Sequence, residues 1–268
     1  GRMRFIVAGD SRSNTHDWAT VSAAILAEKP DLLVFNGDMN DNGTSDWEWD
    51  THFMGPASAK KLLATVPFYP IWGNHEGNAS IMGKFFHTPS PTGAGKNWAQ
   101  QIGSVQFVGL DGRPSHRWRN NRWIDKTLAA SKGKFIVFCS HYPAYSSCGN
   151  GELDSRGQPE DSGYRIARKT ILPLLRKYKA AAFMVAHEHC YERSDLPGGL
   201  TQIIAAGAGA PRSRLSDDAK AQNPYSKVFA RSLHYELFEV DGDRLSFTAK
   251  APDGKVIDRV SWQARELD

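Results

Sequence analysis

The sequence predicts an α/β fold built on a largely parallel sheet, and three observations carry the prediction. Short apolar runs of strand length alternate with longer amphipathic runs through most of the chain. Several of the apolar runs are continuous, as strands covered on both faces are, with no polar residue at every second position. The resulting βαβα order is the arrangement in which crossover helices join parallel strands.

In chain order, strand-like runs occupy residues 3–8, 32–36, 68–72, 104–110, 135–140, 181–186 and 201–206. Helix-like runs fall between them at 17–28, 46–63, 117–130 and 163–179. The first helix places Trp18, Val21, Ile25 and Leu26 near one face and stops before Pro30. The last contains Pro173, where a kink is expected. The final segments, 234–240, 244–251 and 256–262, are strands joined at Asp241-Gly242 and Asp253-Gly254, which predicts an antiparallel meander. No Pro/Gly/Ser linker separates this meander from the rest. One domain over 1–268 is therefore expected, with the meander completing a second sheet packed on the first. Two long loops, 83–103 and 146–163, are rich in Gly, Ser and Pro and are expected to form functional rims.

Composition narrows the function. With 268 residues, 40% hydrophobic and 23% charged, the chain is neither disordered, nor collagen-like, nor a disulfide-dense mini-protein. A formal net charge of +4, spread along the chain, gives no nucleic-acid or membrane signal. No apolar run approaches the length of a membrane span. Gly1 stands where an initiator methionine is absent, as in a trimmed precursor, so a periplasmic or extracellular location is expected, with cytoplasmic the alternative. Cys139 lies in an apolar run and reads as a small buried hydrophobe. Cys148 and Cys190 each follow a candidate site histidine by a few residues and pair only if their loops converge.

The chemistry is positional. Successive strand-like runs end in Gly9-Asp10-Ser11-Arg12, Gly37-Asp38, Gly73-Asn74-His75-Glu76, Ser140-His141 and His187-Glu188-His189. In an open α/β sheet the ligand crevice lies outside the carboxyl ends of the strands. A Gly-Asp pair alone is an ordinary turn, and a lone histidine is more often a satisfied core or loop residue. Five such ends together build one cluster of carboxylate, amide and imidazole. Other readings fail on spacing. An HExxH motif needs histidine where Tyr191 or Ala79 stands, and neither a GxSxG elbow nor a P-loop occurs.

These residues, in this order, resemble the calcineurin-like metallophosphoesterase superfamily, and the run His187-Glu-His-Cys-Tyr-Glu-Arg-Ser194 is similar to its purple acid phosphatase branch. The resemblance implies a four-layer α-β-β-α sandwich of two mixed sheets flanked by helices. It implies two metal ions: Asp10 and His189 on the first, Asn74, His141 and His187 on the second, and Asp38 bridging both. Mixed nitrogen and oxygen ligation without thiolate suits Zn, Mn, Fe, Co or Ni and does not choose among them. The expected reaction is hydrolysis of a small phosphorylated substrate, monoester rather than diester, by in-line attack of a metal-bridging hydroxide. His75 is the expected general acid, with Glu76 beside it, and Arg12 a candidate phosphate contact or an ordinary ion-pair residue. Two departures stand out. Arg12 occupies a position where the superfamily carries histidine, and Asp41 stands where the purple branch carries its colour-giving tyrosine, so no purple protein is expected. Asp41, Asn42, Asn14 or water are the candidates to replace the missing ligand. The reading from another class is a non-catalytic protein that binds metal or phosphate on the same scaffold.

Overall fold

A computed structural model describes residues 2–77, 81–88, 96–112 and 117–266; the side chains of 117–120 lie outside that description, as do residues 89–95 of the expected loop 83–103. The strands are β1 (Met3–Ala8), β2 (Leu32–Phe35), β3 (Phe68–Pro70), β4 (Trp98–Ile102), β5 (Val105–Leu110), β6 (Phe135–Ser140) and β7 (Ala182–Val185). They continue as β8 (Tyr191–Leu196), β9 (Leu200–Ala205), β10 (Ser226–Ala230), β11 (Tyr235–Asp241), β12 (Arg244–Lys250) and β13 (Val256–Gln263). One sheet has the order β13-β12-β11-β1-β2-β3 and the other β10-β8-β9-β7-β6-β5-β4. β1, β2 and β3 run parallel, as do β5, β6, β7 and β9. The C-terminal meander does not found a sheet of its own. β11 pairs antiparallel with β1, so the meander extends the sheet that the first strand opens.

The two sheets pack face to face through one apolar layer. Phe5, Val7, Phe238 and Phe247 come from the first sheet, and Phe107, Val137, Met184 and Ile203 from the second. Helix Thr15–Ala27 covers the outer face of the first sheet with Trp18, Val21 and Ile25. Ile124, Leu128, Ile171 and Leu175, carried by helical segments, cover the second. Both sheets thus lie between helices, and the architecture is the expected four-layer sandwich of mixed sheets. Among the described residues no helix is long and apolar enough to cross a membrane.

The differences from expectation have local causes. The expected helix 46–63 is broken at Gly55-Pro56: Pro56 caps a new helix, Ala57–Thr65. Proline has no N–H to give to the preceding turn, and it pushes the residue before it out of helical geometry. Around Pro173 the helix continues instead, with a wide π turn over Ala167–Ile171 just ahead of the proline. Strands β4, β8 and β10 were not legible. β8 reads Tyr-Glu-Arg-Ser-Asp-Leu, with none of the apolar continuity of its neighbours. Its polar side chains tie the molecule together. Tyr191 Oη and Arg193 Nε both donate to Asp258 Oδ2 of β13, at 2.7 and 2.6 Å, across the two sheets. Glu192 accepts from the Ser147 backbone N–H at 2.9 Å.

One buried pair in the sandwich has a measurable consequence. Glu236 stands opposite Val7 in register, so its side chain enters the layer between the sheets, and neither carboxylate oxygen has a hydrogen bond among the described residues. His234 donates from Nδ1 to Ser232 O at 2.8 Å, which leaves Nε2 as a bare acceptor 3.4 Å from Glu236 Oε1. Burial holds the Glu236 carboxyl well above its usual range and pushes His234 down to about 4. An acid held protonated by the fold loses stability as pH rises above its unfolded value, because the native state then binds more protons than the unfolded chain. Glu236→Gln leaves a neutral amide facing His234 Nε2 and removes the titration. Its unfolding free energy in urea is expected to match the wild type near pH 4 and to exceed it by roughly 1–3 kcal/mol at pH 8. Identical pH dependence in the two proteins would refute this account.

Candidate metal centre

Every motif residue lies just beyond the carboxyl end of a strand. Asp10 follows β1, Asp38 follows β2, Asn74 and His75 follow β3, His141 follows β6, and His187 and His189 follow β7. The chain turns abruptly at these points. Asp10 (φ 60°), Asp38 (φ 53°) and His187 (φ 71°) all adopt the left-handed conformation. Aspartate is among the few side chains that visit this region, at a cost on the order of 1 kcal/mol or more each, and such strain concentrates at functional sites.

Two glycines let the second and third loops touch. A Cβ on Gly37 would stand 2.6 Å from Gly73 N, and one on Gly73 would stand 2.1 Å from Asp38 Oδ1. Glu76 then ties the loops, accepting from the backbone N–H groups of Asp38 (2.9 Å), Met39 (2.8 Å) and Gly73 (2.8 Å). Burial and the neighbouring Asp38 charge push the Glu76 carboxyl up to about 7, against the pull of these three donors. Gly73→Ala is expected to keep the circular dichroism spectrum and weaken metal binding about 10- to 100-fold, the range for disturbed support of ligands. Calorimetry with Zn or Mn reads the affinity, and an unchanged value would show that the loops yield to the methyl group.

The hydrogen bonds assign the imidazole nitrogens, because a carbonyl can only accept. His141 Nδ1 donates to Asn36 O at 2.7 Å, and His189 Nδ1 to Pro211 O at 2.8 Å. Each therefore presents Nε2 to the cluster. His141 Nε2 lies 2.9 Å from Asn74 Oδ1 and 3.3 Å from Asp38 Oδ2. His187 offers Nδ1, 2.9 Å from the same Asn74 oxygen and 3.2 Å from His141 Nε2. The ligand atoms of Asp38, His141 and His187 all lie within 4.8 Å of one another. Beside this group, His189 Nε2 faces Asp10 Oδ1 at 3.4 Å, and that buried oxygen has no hydrogen bond among the described residues. Lone pairs converging on one place, with backbone carbonyls fixing the far side of two rings, are the donor set and outer support of a metal site.

The charges agree. Burial opposes ionisation of Asp38, yet the facing His141 and His75 overcome it and hold the carboxyl below its usual range. Burial likewise works against protonated His141, but Asp38 overrides it and raises that ring to about 10. His187 is pushed down to about 3 by burial and by the His141 charge. Burial also opposes protonation of His189, and the facing Asp10 carboxylate overrides this and raises the pKa. A divalent cation, if held by Asp38, His141 and His187, would take over the role of the His141 proton, so its uptake would be coupled to proton release.

The remaining candidates are placed as follows. Arg12 Nε and an Nη both meet Asp41 Oδ1, at 2.8 and 2.7 Å, so the guanidinium makes an ion pair. The Asp41 carboxylate is thereby committed to Arg12, while its backbone carbonyl accepts from His75 Nδ1 at 2.7 Å. Asn42 Oδ1 accepts from Thr44 within its own loop, and Asn14 caps helix Thr15–Ala27. None of the three side chains joins the ligand cluster. Sequence reasoning missed the aromatic wall: the Tyr142 and Tyr164 rings lie 4.8 and 6.2 Å from His187, and Tyr164 Oη donates to buried Glu188. It also missed Pro211 and Ser213, whose segment carries no hydrophobic period; Ser213 Oγ accepts from His189 N at 3.1 Å.

Comparison with known proteins follows the same residues. The profile of the calcineurin-like phosphoesterase family matches residues 3–191. A probable glycerophosphodiester phosphodiesterase of Arcobacter nitrofigilis is 28% identical over 210 residues, covering 74% of this chain and 70% of its own. A probable inactive purple acid phosphatase 1 of Arabidopsis thaliana is 25% identical over 278 residues, 86% of this chain and 43% of its own. Among solved structures, a purple acid phosphatase from yellow lupin superposes with a TM-score of 0.80 at 18% identity, over 98% of this chain and 54% of that one. The chain thus spans about half the length of the lupin protein and less than half of the Arabidopsis protein.

Proposed function

The chain belongs to the calcineurin-like phosphoesterase family, and we propose that it hydrolyses small phosphoesters with two metal ions, monoesters in preference to diesters. One observation carries the reading: a fixed imidazole, His75, stands beside the ligand cluster without joining it. Its Nδ1 proton is committed to Asp41 O, so Nε2, 3.9 Å from Asp38 Oδ2, is the atom free to hold and pass a proton.

Asp10 and His189 would hold one ion, Asn74, His141 and His187 the other, with Asp38 shared. Ions held there supply a nucleophile by lowering the pKa of water and offset charge on the phosphoryl oxygens. His75 Nε2 protonates the departing ester oxygen. Asp41 orients His75 through its carbonyl, and Arg12 holds Asp41 by its carboxylate. Arg12 is thus a positioning residue two contacts from the chemistry, whose guanidinium edge not bound to Asp41 is available to a phosphate oxygen.

A second reading, preference for diesters, is favoured by the printed activity of the Arcobacter relative. The test strips the protein with chelator, refills it with Mn, Zn, Fe, Co or Ni, and compares p-nitrophenyl phosphate with bis-p-nitrophenyl phosphate. Metal-restored turnover, faster on the monoester, is expected; faster turnover on the diester selects the second reading. Metal uptake without turnover on either ester selects the non-catalytic binder. Refilling in weak buffer is also expected to release protons at pH 7, because His141 stays protonated up to about 10 without a cation.

A further inference from the structure

We infer that Cys148 and Cys190 form a disulfide that fastens the rim loop after His141 to the metal-ligating segment His187–His189, closing as the chain folds in the presence of a disulfide oxidant. The two sulfurs lie 3.2 Å apart, and both residues are fully buried. Cys139, the remaining cysteine, packs in the apolar layer between the sheets, whereas Cys148 and Cys190 share the layer on the outer side of the second sheet.

Each backbone is pinned by contacts that do not involve sulfur. Cys148 N–H donates to Ser146 Oγ at 3.0 Å, Ser147 N–H donates to Glu192, and Cys148 makes an antiparallel bridge with Leu215. Cys190 N–H donates to Glu188 O at 2.6 Å, while the residue before it, His189, exchanges hydrogen bonds with Ser213. These contacts therefore direct the two thiols to one place as the chain folds, and the covalent bond locks that approach.

The chemistry balances with a small-molecule or protein disulfide as oxidant. One cysteine thiolate attacks a sulfur of the oxidant, forming a mixed disulfide and expelling one thiolate. The second cysteine attacks the mixed bond at the protein sulfur and expels the other. The two protons leave with the two expelled thiols, and the oxidant is reduced by two electrons. Because both sulfurs are buried in the finished fold, exchange occurs before the rim closes, and the completed bond is shielded from reductant. Such a bond belongs to an oxidising compartment.

The test refolds the full chain from reducing denaturant into a mixture of reduced and oxidised glutathione, followed by alkylation and non-reducing peptide mapping. The expected result is one peptide pair joining Cys148 to Cys190, two hydrogens lighter than the thiol forms, with Cys139 alkylated only after denaturation. Both cysteines alkylated in protein with a native circular dichroism spectrum would overturn the proposal. Oxidised protein is expected to melt roughly 5–10 °C above the reduced form, with the Cys148→Ser/Cys190→Ser variant insensitive to reductant. The link to His189 rests on the metal-centre reading and has its own readout. Loss of bound Mn or Zn to chelator is expected to be about tenfold slower in the oxidised protein. A mapped disulfide with equal loss rates would keep the bond and overturn the fastening; protein that binds no metal would instead defeat the metal-centre reading and leave the peptide map standing.

Discussion

Asp38→Asn is expected to fold normally and to lose both metal and turnover. The substitution changes charge and almost nothing else. Asparagine also tolerates the left-handed backbone that Asp38 adopts at φ 53°. Its amide oxygen can still accept from the His75 backbone N–H, as Asp38 Oδ1 does at 2.9 Å. What disappears is the negative charge that faces His141 at 3.3 Å and that, in the proposed centre, both ions would share. Two cations close together need an anion between them, and a neutral amide does not supply one. We expect metal content by mass spectrometry to fall below one ion per chain and turnover to drop about 1,000-fold or more. Full metal content with full activity would remove Asp38 from the centre.

His75→Ala is expected to separate metal binding from chemistry. His75 is a quarter exposed, its Nδ1 is committed to Asp41 O, and Nε2 stays 3.9 Å from Asp38, so no ligand is lost with it. Metal content should match the wild type. The rate should fall about 100- to 10,000-fold for an alkyl phosphate, whose leaving oxygen needs a proton, and far less for p-nitrophenyl phosphate, whose leaving group departs as an anion. A uniform loss across leaving groups would assign His75 to positioning. Loss of metal would make it a ligand.

The extent to which the molecule was legible follows from which interactions are local. Continuous apolar runs such as 135–140 announce buried strands, and Gly-Asp and Gly-Asn-His-Glu at their ends announce turns that carry the candidate ligands. Strand β8 was hidden because its polar residues are satisfied by Ser147 and Asp258, far away in the chain. The break at Pro56 was readable in principle, yet the apolar period on either side masks it. The role of Asp41 shows the same limit from the other direction. Its position suggested a ligand, but its carboxylate is claimed by Arg12, a pairing that depends on how two loops meet.

The fold class, the order of the strand ends that carry the candidate ligands and the residue types there are legible in short segments, because period, turn chemistry and donor identity are local properties. Long-range packing decided which nitrogen each imidazole presents. It decided that Arg12 and Asp41 pair with each other, that Cys148 meets Cys190 at 3.2 Å, and that the meander adds to β1. Each of these depends on a partner from a distant part of the chain. Such a partner is selected by packing and by the need to satisfy every buried polar group, and short-range pattern carries neither.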